Sequence, residues 1–388
     1  MTAGNEIELK VGEASIPLGL HGLAVLEAFA HPTSLDEALR TLGAKGLADW
    51  MELTSTVVGL HRAGVLVVPG EDAPALASPR GGFGAWQVHA AMLNDRTRTG
   101  AFLKAIAETV RPGDVVVDIG TGSGVLALAA ARAGARRVYA LEVTAIGAMA
   151  RRVFAANGLE DRITLIEGWS TSVELPEPVD VIVTETIGND PFGERILEIL
   201  SDARRRFARP GALTVPRRLR VWGLPVEIPE EVRRQEMVTP AAVEAWRQEY
   251  GFELGALAER VQRPGQPHFW IKPQRAREWR ALAEPALLAE ISFGAPPPLK
   301  LETRTVCSIT EPGDLHGVLV YFDCDLSEGV SLSTHPAEVD PANVWRSPVW
   351  APWEPRRLER GAEVELRFQY GVGGRNSELF IALGANPE

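Results

Sequence analysis

Three groups of residues in this chain have types and spacings that could do chemistry. The first is Asp118, Gly120, Gly122 and Gly124, followed by the acid Glu142. Glycines at alternate positions after an acid let the backbone N–H groups meet a ligand at close range. The second is Glu185 and Glu194, nine residues apart in TETIGNDPFGERIL. Two carboxylates facing one cleft hold a cation or share a proton. By spacing alone, each also fits a solvated loop acid. The third is Arg98, in HAAMLNDRTRTGAFLKAI. Its guanidinium could pair bidentately with a ligand carboxylate, although this motif by itself more simply fits a surface helix arginine.

The elements that must position these groups are legible. VVVDIGTGSGVLALAAARAGARRVYALE, residues 115–142, reads as a buried strand, a glycine turn, a helix and a second strand ending on an acid. This is a nucleotide-type βαβ unit. A dinucleotide fold would show G-x-G-x-x-G, and D-I-G-T-G-S-G lacks the third glycine at that spacing. Strand-like runs at 115–119, 138–142, 163–167, 180–184 and 212–215 alternate with helical segments, which predicts a parallel sheet with helices on both faces. After 215 the runs RLRVWGLPVEI, RALAEPALLAEISF, HGVLVYFDCDL and EVELRFQYGV predict mostly β-structure. A helical insertion, AAVEAWRQEYGFELGALAERV, interrupts it. At the other end, GLHGLAVLEAFA, LDEALRTLG capped by Ser34, and LADWMELTSTVVGLHRAG predict three helices, with a strand VLVVP to follow. EDAPALASPRGGFG, residues 71–84, reads as a linker.

Composition narrows the function classes. A net charge of −11 over 388 residues argues against non-specific nucleic-acid binding, which needs a basic surface. Only Cys307 and Cys324 are present, without metal-ligand spacing, so neither a disulfide framework nor a metal is expected, and a reducing cytoplasm fits. No signal peptide, membrane-length apolar run or internal repeat is found.

Asp-x-Gly-x-Gly-x-Gly is the pattern of S-adenosylmethionine-dependent methyltransferases. The wider chain, from about residue 80 to 388, resembles the protein arginine methyltransferase family. The segments that carry the resemblance are HAAMLNDRTRT, the βαβ unit, VELPEPVDVIVTETIGNDPFGE, PGALTVP, EAWRQEYGF and VYFDCDLSEGVSLSTHP. The resemblance implies a Rossmann-like class I methyltransferase domain (80–215) and a β-barrel-like substrate domain (216–388). A helical arm at about 238–262 would make a homodimer. It implies S-adenosyl-L-methionine as cofactor, held by His89, Arg98, Asp118, Gly120, Gly122, Gly124 and Glu142, with Glu142 on the ribose hydroxyls. Glu185 and Glu194 would clamp a substrate guanidinium and act as the catalytic pair, and the substrate would be an arginine of a peptide or protein.

The chain departs from the family at several positions. The tripeptide aligned with the family's Thr-His-Trp loop is Asn343-Val344-Trp345, so Trp345 is kept and the histidine, which supports the active-site wall and an acid partner, is valine. His335 is a possible substitute. Phe83 stands for a lid tyrosine and Asn189 for an aromatic; with Met92, His335 and Trp345 they complete the expected substrate pocket. Trp169 and Ser170 replace the adenine-contacting glutamate. Residues 1–75 resemble a winged-helix module and, loosely, the PqqD-related modules that recognise leader peptides, which would make a ribosomally made precursor peptide the substrate. A small-molecule N- or O-methyltransferase and a non-catalytic binding partner are the competing readings.

Overall fold

Val115, Val116 and Val117 are all fully buried, the signature of a central parallel strand covered on both faces. The computed structural model describes residues 7–11, 14–18, 22–29, 31, 33–42, 53, 57, 60, 65–66, 83–257, 266–352, 355–371 and 376–383. Two compact units are present: Met1–Val88 with Thr144–Ile146, and His89–Val143 with Gly147–Glu388.

In the first unit an antiparallel hairpin of β1 (Ile7–Val11) and β2 (Ala14–Leu18) precedes the helices, and the sequence reading did not anticipate it. The helices α1 (Gly22–Ala28) and α2 (Leu35–Thr41) follow, and Ser34 accepts the Glu37 N–H as the expected cap. The described residues of the expected third helix, Leu53, Val57 and Leu60, are helical, and they pack with Val25 and Leu39 in a small core. The expected strand at 65–69 is not borne out where it is described. Val65 and Leu66 form a bend, and both their N–H groups donate to the Leu60 carbonyl. Those donors are spent on Leu60 and are unavailable to a strand ladder. The rest of that strand, and the linker up to residue 82, lie outside the described residues.

The second unit opens with α3 (Trp86–Asn94), whose first turn lies in the first unit, and α4 (Arg96–Thr109), capped by Asp95. A five-stranded, all-parallel sheet follows. Its strands are β3 (Val115–Ile119), β4 (Arg137–Glu142), β5 (Ile163–Glu167), β6 (Val179–Thr184) and β7 (Ala208–Val215), in the order β5-β4-β3-β6-β7. All five predicted strands are present. The connecting helices are α5 (Val125–Arg132), α6 (Gly147–Ala156) and α7 (Ile196–Arg206). The strand order reverses between β3 and β6, and ligands bind at such a switch point, beyond the C-terminal strand ends. Ile119 pairs with Thr184, so the glycine turn and the glutamate loop leave the sheet side by side.

The remainder is antiparallel and barrel-like. It begins with β8 (Arg218–Glu227), then the arm helices α8 (Glu230–Glu236) and α9 (Pro240–Tyr250). The predicted helical insertion is cut at Gly251, which takes a left-handed φ of 73° and caps α9. The following strands are β9 (His268–Ile271), β10 (Arg280–Ala281), β11 (Ala286–Ser292), β12 (Leu301–Ser308), β13 (Gly313–Leu315), β14 (Gly317–Asp325), β15 (Ser331–Ser333), β16 (Ser347–Trp350), β17 (Arg356–Leu358), β18 (Glu363–Tyr370) and β19 (Glu378–Leu383). β8 and β14 are central, flanked by β10, β11, β15, β16 and β9, and β12-β18-β19 form a second sheet. One continuous apolar core runs from Phe102 and the parallel strands to Phe322, Trp345 and Phe368 of the antiparallel part. No described helix is long and apolar enough to cross a membrane.

Candidate active site

The turn after β3 needs glycine twice over. Gly122 and Gly124 have φ of 53° and 86°, where an L side chain is strained. A Cβ on Gly122 would lie 2.8 Å from the His89 ring, and one on Gly124 would lie 2.4 Å from Phe154. His89 is thereby placed against the turn. A Cβ on Gly120 would meet the Thr186 methyl at 3.2 Å, so turn and glutamate loop touch. Glu142 is buried and aimed back at the turn: one carboxylate oxygen accepts the Gly122 N–H at 2.8 Å, the other the Val143 N–H at 3.0 Å.

Asp118 lies beneath the turn, fully buried. Thr121 donates to its Oδ2 at 2.6 Å, while Oδ1 is buried without a partner. Burial pushes its carboxyl up to about 7. The 168–173 loop after β5 is tied in by the Gly168 N–H donating to the Glu142 carbonyl at 2.8 Å. Arg206, on α7, donates to the carbonyls of Ser170 (2.5 Å) and Val173 (2.7 Å). Trp169 is left 43% exposed beside them, free to offer an aromatic face.

The glutamate half of the site gathers around Arg98. Its guanidinium is ion-paired with Glu185, reaches the Met92 sulfur at 3.6 Å, and lies 5.4 Å from the Trp345 ring centroid. Glu194 faces the same guanidinium electrostatically. Burial lowers the Arg98 pKa to about 10 and raises that of Glu194 to about 7. The loop between the glutamates is anchored by buried Phe192, which meets Tyr370 at 5.3 Å between ring centroids, and by Asp190, which accepts the Ser377 N–H and hydroxyl at 2.7 and 2.6 Å. Arg195, directly after Glu194, is the one non-glycine residue with positive φ among those described, at 68°. Strain of this kind persists where surrounding packing over-determines the conformation.

Trp345 closes the wall, its indole N–H donating to the Ile187 carbonyl at 2.7 Å. Asn189 acts on that wall from the other side, its Oδ1 accepting the Arg346 N–H at 2.7 Å. His335 is elsewhere. Its ring packs edge-on against Tyr321, 4.9 Å between centroids, whereas Trp345 packs on the neighbouring Phe322. Adjacent residues of β14 point to opposite faces, so His335 and Trp345 lie on opposite sides of the sheet. The structure does not bring His335 to the glutamates. Phe83 lies in the first unit.

The profile described as ribosomal protein L11 methyltransferase (PrmA) matches residues 96–214, and that of the arginine methyltransferase oligomerization subdomain matches 234–377. The arginine N(omega)-methyltransferase of Streptomyces achromogenes subsp. streptozoticus is 34% identical over 287 residues, which span 72% of this chain and 74% of that relative. The chain belongs to the protein arginine methyltransferase family. A probable protein arginine N-methyltransferase 6 of Arabidopsis thaliana is 34% identical over 174 residues, 44% of this chain and 38% of the plant protein. The arginine methyltransferase fold is seen in two solved structures. The Trypanosoma brucei PRMT1 enzyme-prozyme heterotetrameric complex with AdoHcy has a TM-score of 0.64 at 21% identity, covering 78% of this chain and 95% of that one. Arabidopsis thaliana protein arginine methyltransferase 10 has a TM-score of 0.62 at 24% identity, covering 77% and 97%.

This arginine methyltransferase is an S-adenosylmethionine-dependent enzyme, and its residues fit that cofactor. The turn at Gly122 has no room for a side chain, Glu142 is oriented at it, and Asp118 keeps an unpaired buried oxygen beneath it. Two positioning residues escaped the sequence reading. Asp95 carries a helix-cap signal, a polar residue ahead of RTRTG, but nothing in the sequence says that its second oxygen reaches Val344, 249 residues away. Arg206 is one of three consecutive arginines at the end of α7, and its role shows only in three dimensions.

Proposed function

We propose that the protein transfers a methyl group from S-adenosylmethionine to a guanidinium nitrogen of an arginine in a peptide or protein. One observation carries this reading: the pocket between Glu185, Glu194 and Trp345 already accommodates a guanidinium, that of Arg98.

The bound cofactor supplies an electrophilic methyl on a sulfonium. The chain supplies orientation and charge. Glu185 and Glu194 would grip two edges of the acceptor guanidinium, drawing positive charge toward the nitrogens they hold and leaving one nitrogen's electron density for attack. Trp345, fixed by Ile187, presents a flat face that suits a planar cation. A carboxyl that titrates near neutrality, as Glu194 does, is suited to receive the proton that the methylated nitrogen sheds. Glu142, His89 and the glycine turn would hold the cofactor, with Trp169 and the Ser170 backbone at the adenine end. For Arg98 to hold the cofactor carboxylate, its guanidinium must share or leave Glu185, which frees that carboxylate for the acceptor.

Three finer proposals accompany this one. Residues 1–75 are a winged-helix-like module that recognises the leader of a precursor peptide, 80–215 bind the cofactor, and 216–388 bind substrate. The arm around 238–262 makes a homodimer, since Tyr250, Phe252 and Leu257 project from it largely exposed. The compartment is the cytoplasm. The deciding experiment supplies the full chain with isotope-labelled cofactor and, separately, leader-bearing arginine peptides, leaderless arginine peptides and free arginine. A methyl-sized mass gain on a peptide arginine supports the reading. Turnover of free arginine alone overturns the peptide part, and turnover of none overturns it entirely.

A further inference from the structure

The loop Asp340–Arg346 lies between the two halves of the site and is gripped from three sides. From α4, Asp95 Oδ2 accepts the Val344 N–H at 3.1 Å, and the Thr97 hydroxyl donates to Asp340 at 2.9 Å. From the segment after β9, the Lys272 ammonium donates to the carbonyls of Asn343 and Val344 at 2.8 and 3.0 Å. Gln274 donates to the carbonyl of Asp340 at 2.8 Å and to that of Pro341 at 3.2 Å. On the third side the loop meets the glutamate loop through Trp345 and Arg346.

Side-chain chemistry at position 344 cannot produce this arrangement, because valine has no polar group. The loop is held through its main chain instead. Asp95 is buried, 2% exposed, and divides its two oxygens between capping α4, through the Arg98 N–H at 3.0 Å, and holding Val344. Its negative charge also favours the ammonium of Lys272, whose pKa burial and nearby Arg346 otherwise lower. A charged donor bridging two successive carbonyls fixes the peptide plane between them.

We propose that Lys272 is a positioning residue for the acceptor site: with Asp95 it clamps the backbone of residues 343–344, and so holds Trp345 against the glutamate loop without a histidine. The proposal rests on the reading of the Glu185–Glu194 pocket as the acceptor site, but its structural half can be tested apart from turnover. Lys272→Met keeps the apolar stem and removes both hydrogen bonds. In the full chain, hydrogen exchange at the Asn343 and Val344 amides, which donate to Asp340 and Asp95, should speed up roughly tenfold to a hundredfold, the scale of one charge-assisted hydrogen bond. Exchange at Val349 of β16 and the affinity for S-adenosylhomocysteine should hold within about threefold, well under that scale. With an arginine peptide that the wild type methylates, kcat/KM should fall by a similar tenfold to hundredfold. Lys272→Arg, which can still donate to both carbonyls, should recover most of the exchange protection and activity. Unchanged exchange at Val344 overturns the clamp, as does equal acceleration throughout β16, which would make Lys272 a general stabiliser. Altered exchange with unchanged kcat/KM overturns the positioning role. A wild type that methylates no guanidinium sinks the acceptor reading, while the exchange result still decides the clamp.

Discussion

At the scale of single residues, burial and charge set the chemistry. Glu194 is surrounded by protein, and the desolvation that raises its carboxyl to about 7 outweighs the pull of Arg98. If Glu194 grips the acceptor as a carboxylate, the rate of methyl transfer should rise as pH increases through about 7. In Glu194→Gln that rising limb should disappear from the kcat/KM profile. Glu194→Gln and Glu185→Gln should each lower kcat by roughly 10²–10³, the cost of removing one preorganised electrostatic partner, while cofactor affinity measured by calorimetry changes little. Loss of cofactor binding in either variant would mean the roles are misassigned. Folding stability moves the other way with pH. Between the carboxylate values of an unfolded chain and about 7, folded Asp118 and Glu194 hold protons that the unfolded chain has released. Stability therefore falls as pH rises through that window. Glu194→Gln should flatten the fall, as read from melting temperatures at pH 5 and 8.

At the scale of elements, short turns carry much of the burden. The β3–α5 turn has glycine where the backbone is left-handed and where His89 or Phe154 fills the space. Gly122→Ala would cost about 1–2 kcal/mol for the positive φ alone, and its methyl would also push His89 aside. The expected outcome is a large loss of cofactor affinity, at least tenfold by calorimetry, with the fold retained by circular dichroism. The glutamate loop works differently. Its backbone is fixed by groups remote in sequence, namely Ser377, Arg346 and the Trp345 indole, so a local motif search finds the two carboxylates but none of the bonds that aim them. The same reason explains His335. Its sequence neighbourhood makes it a candidate, and only the alternation along β14 shows that it faces away.

At the scale of the whole molecule, the arm presents large apolar side chains that the described residues leave exposed. Among the described residues of α9 only Ala242 is buried, and Phe252 beyond it is 67% exposed. If the arm docks on a second copy, Phe252→Asp should shift the protein from dimer to monomer in light scattering and reduce turnover. A wild-type monomer at micromolar concentration would refute the proposal. If residues 1–75 recognise a leader, their removal should abolish methylation of a leader-bearing peptide while leaving cofactor affinity intact.

The strands of the parallel sheet and the glycine turn were readable from the sequence because each depends on local rules: apolar runs of strand length and φ-permissive glycines. Glu185 and Glu194 were singled out by the family resemblance, because their spacing alone also fits solvated loop acids. The pairing of 7–11 with 14–18 and the bend at Val65–Leu66 were not readable, because short alternating segments depend on what packs against them. The tertiary structure alone decided that β3 and β6 are neighbours at the switch point, which sets the glycine turn beside the glutamate loop. It alone revealed that an aspartate, a lysine and a valine backbone, up to 249 residues apart, meet where a histidine was expected. Backbone N–H and carbonyl groups are common to every residue, so no pattern of side chains could have announced that contact.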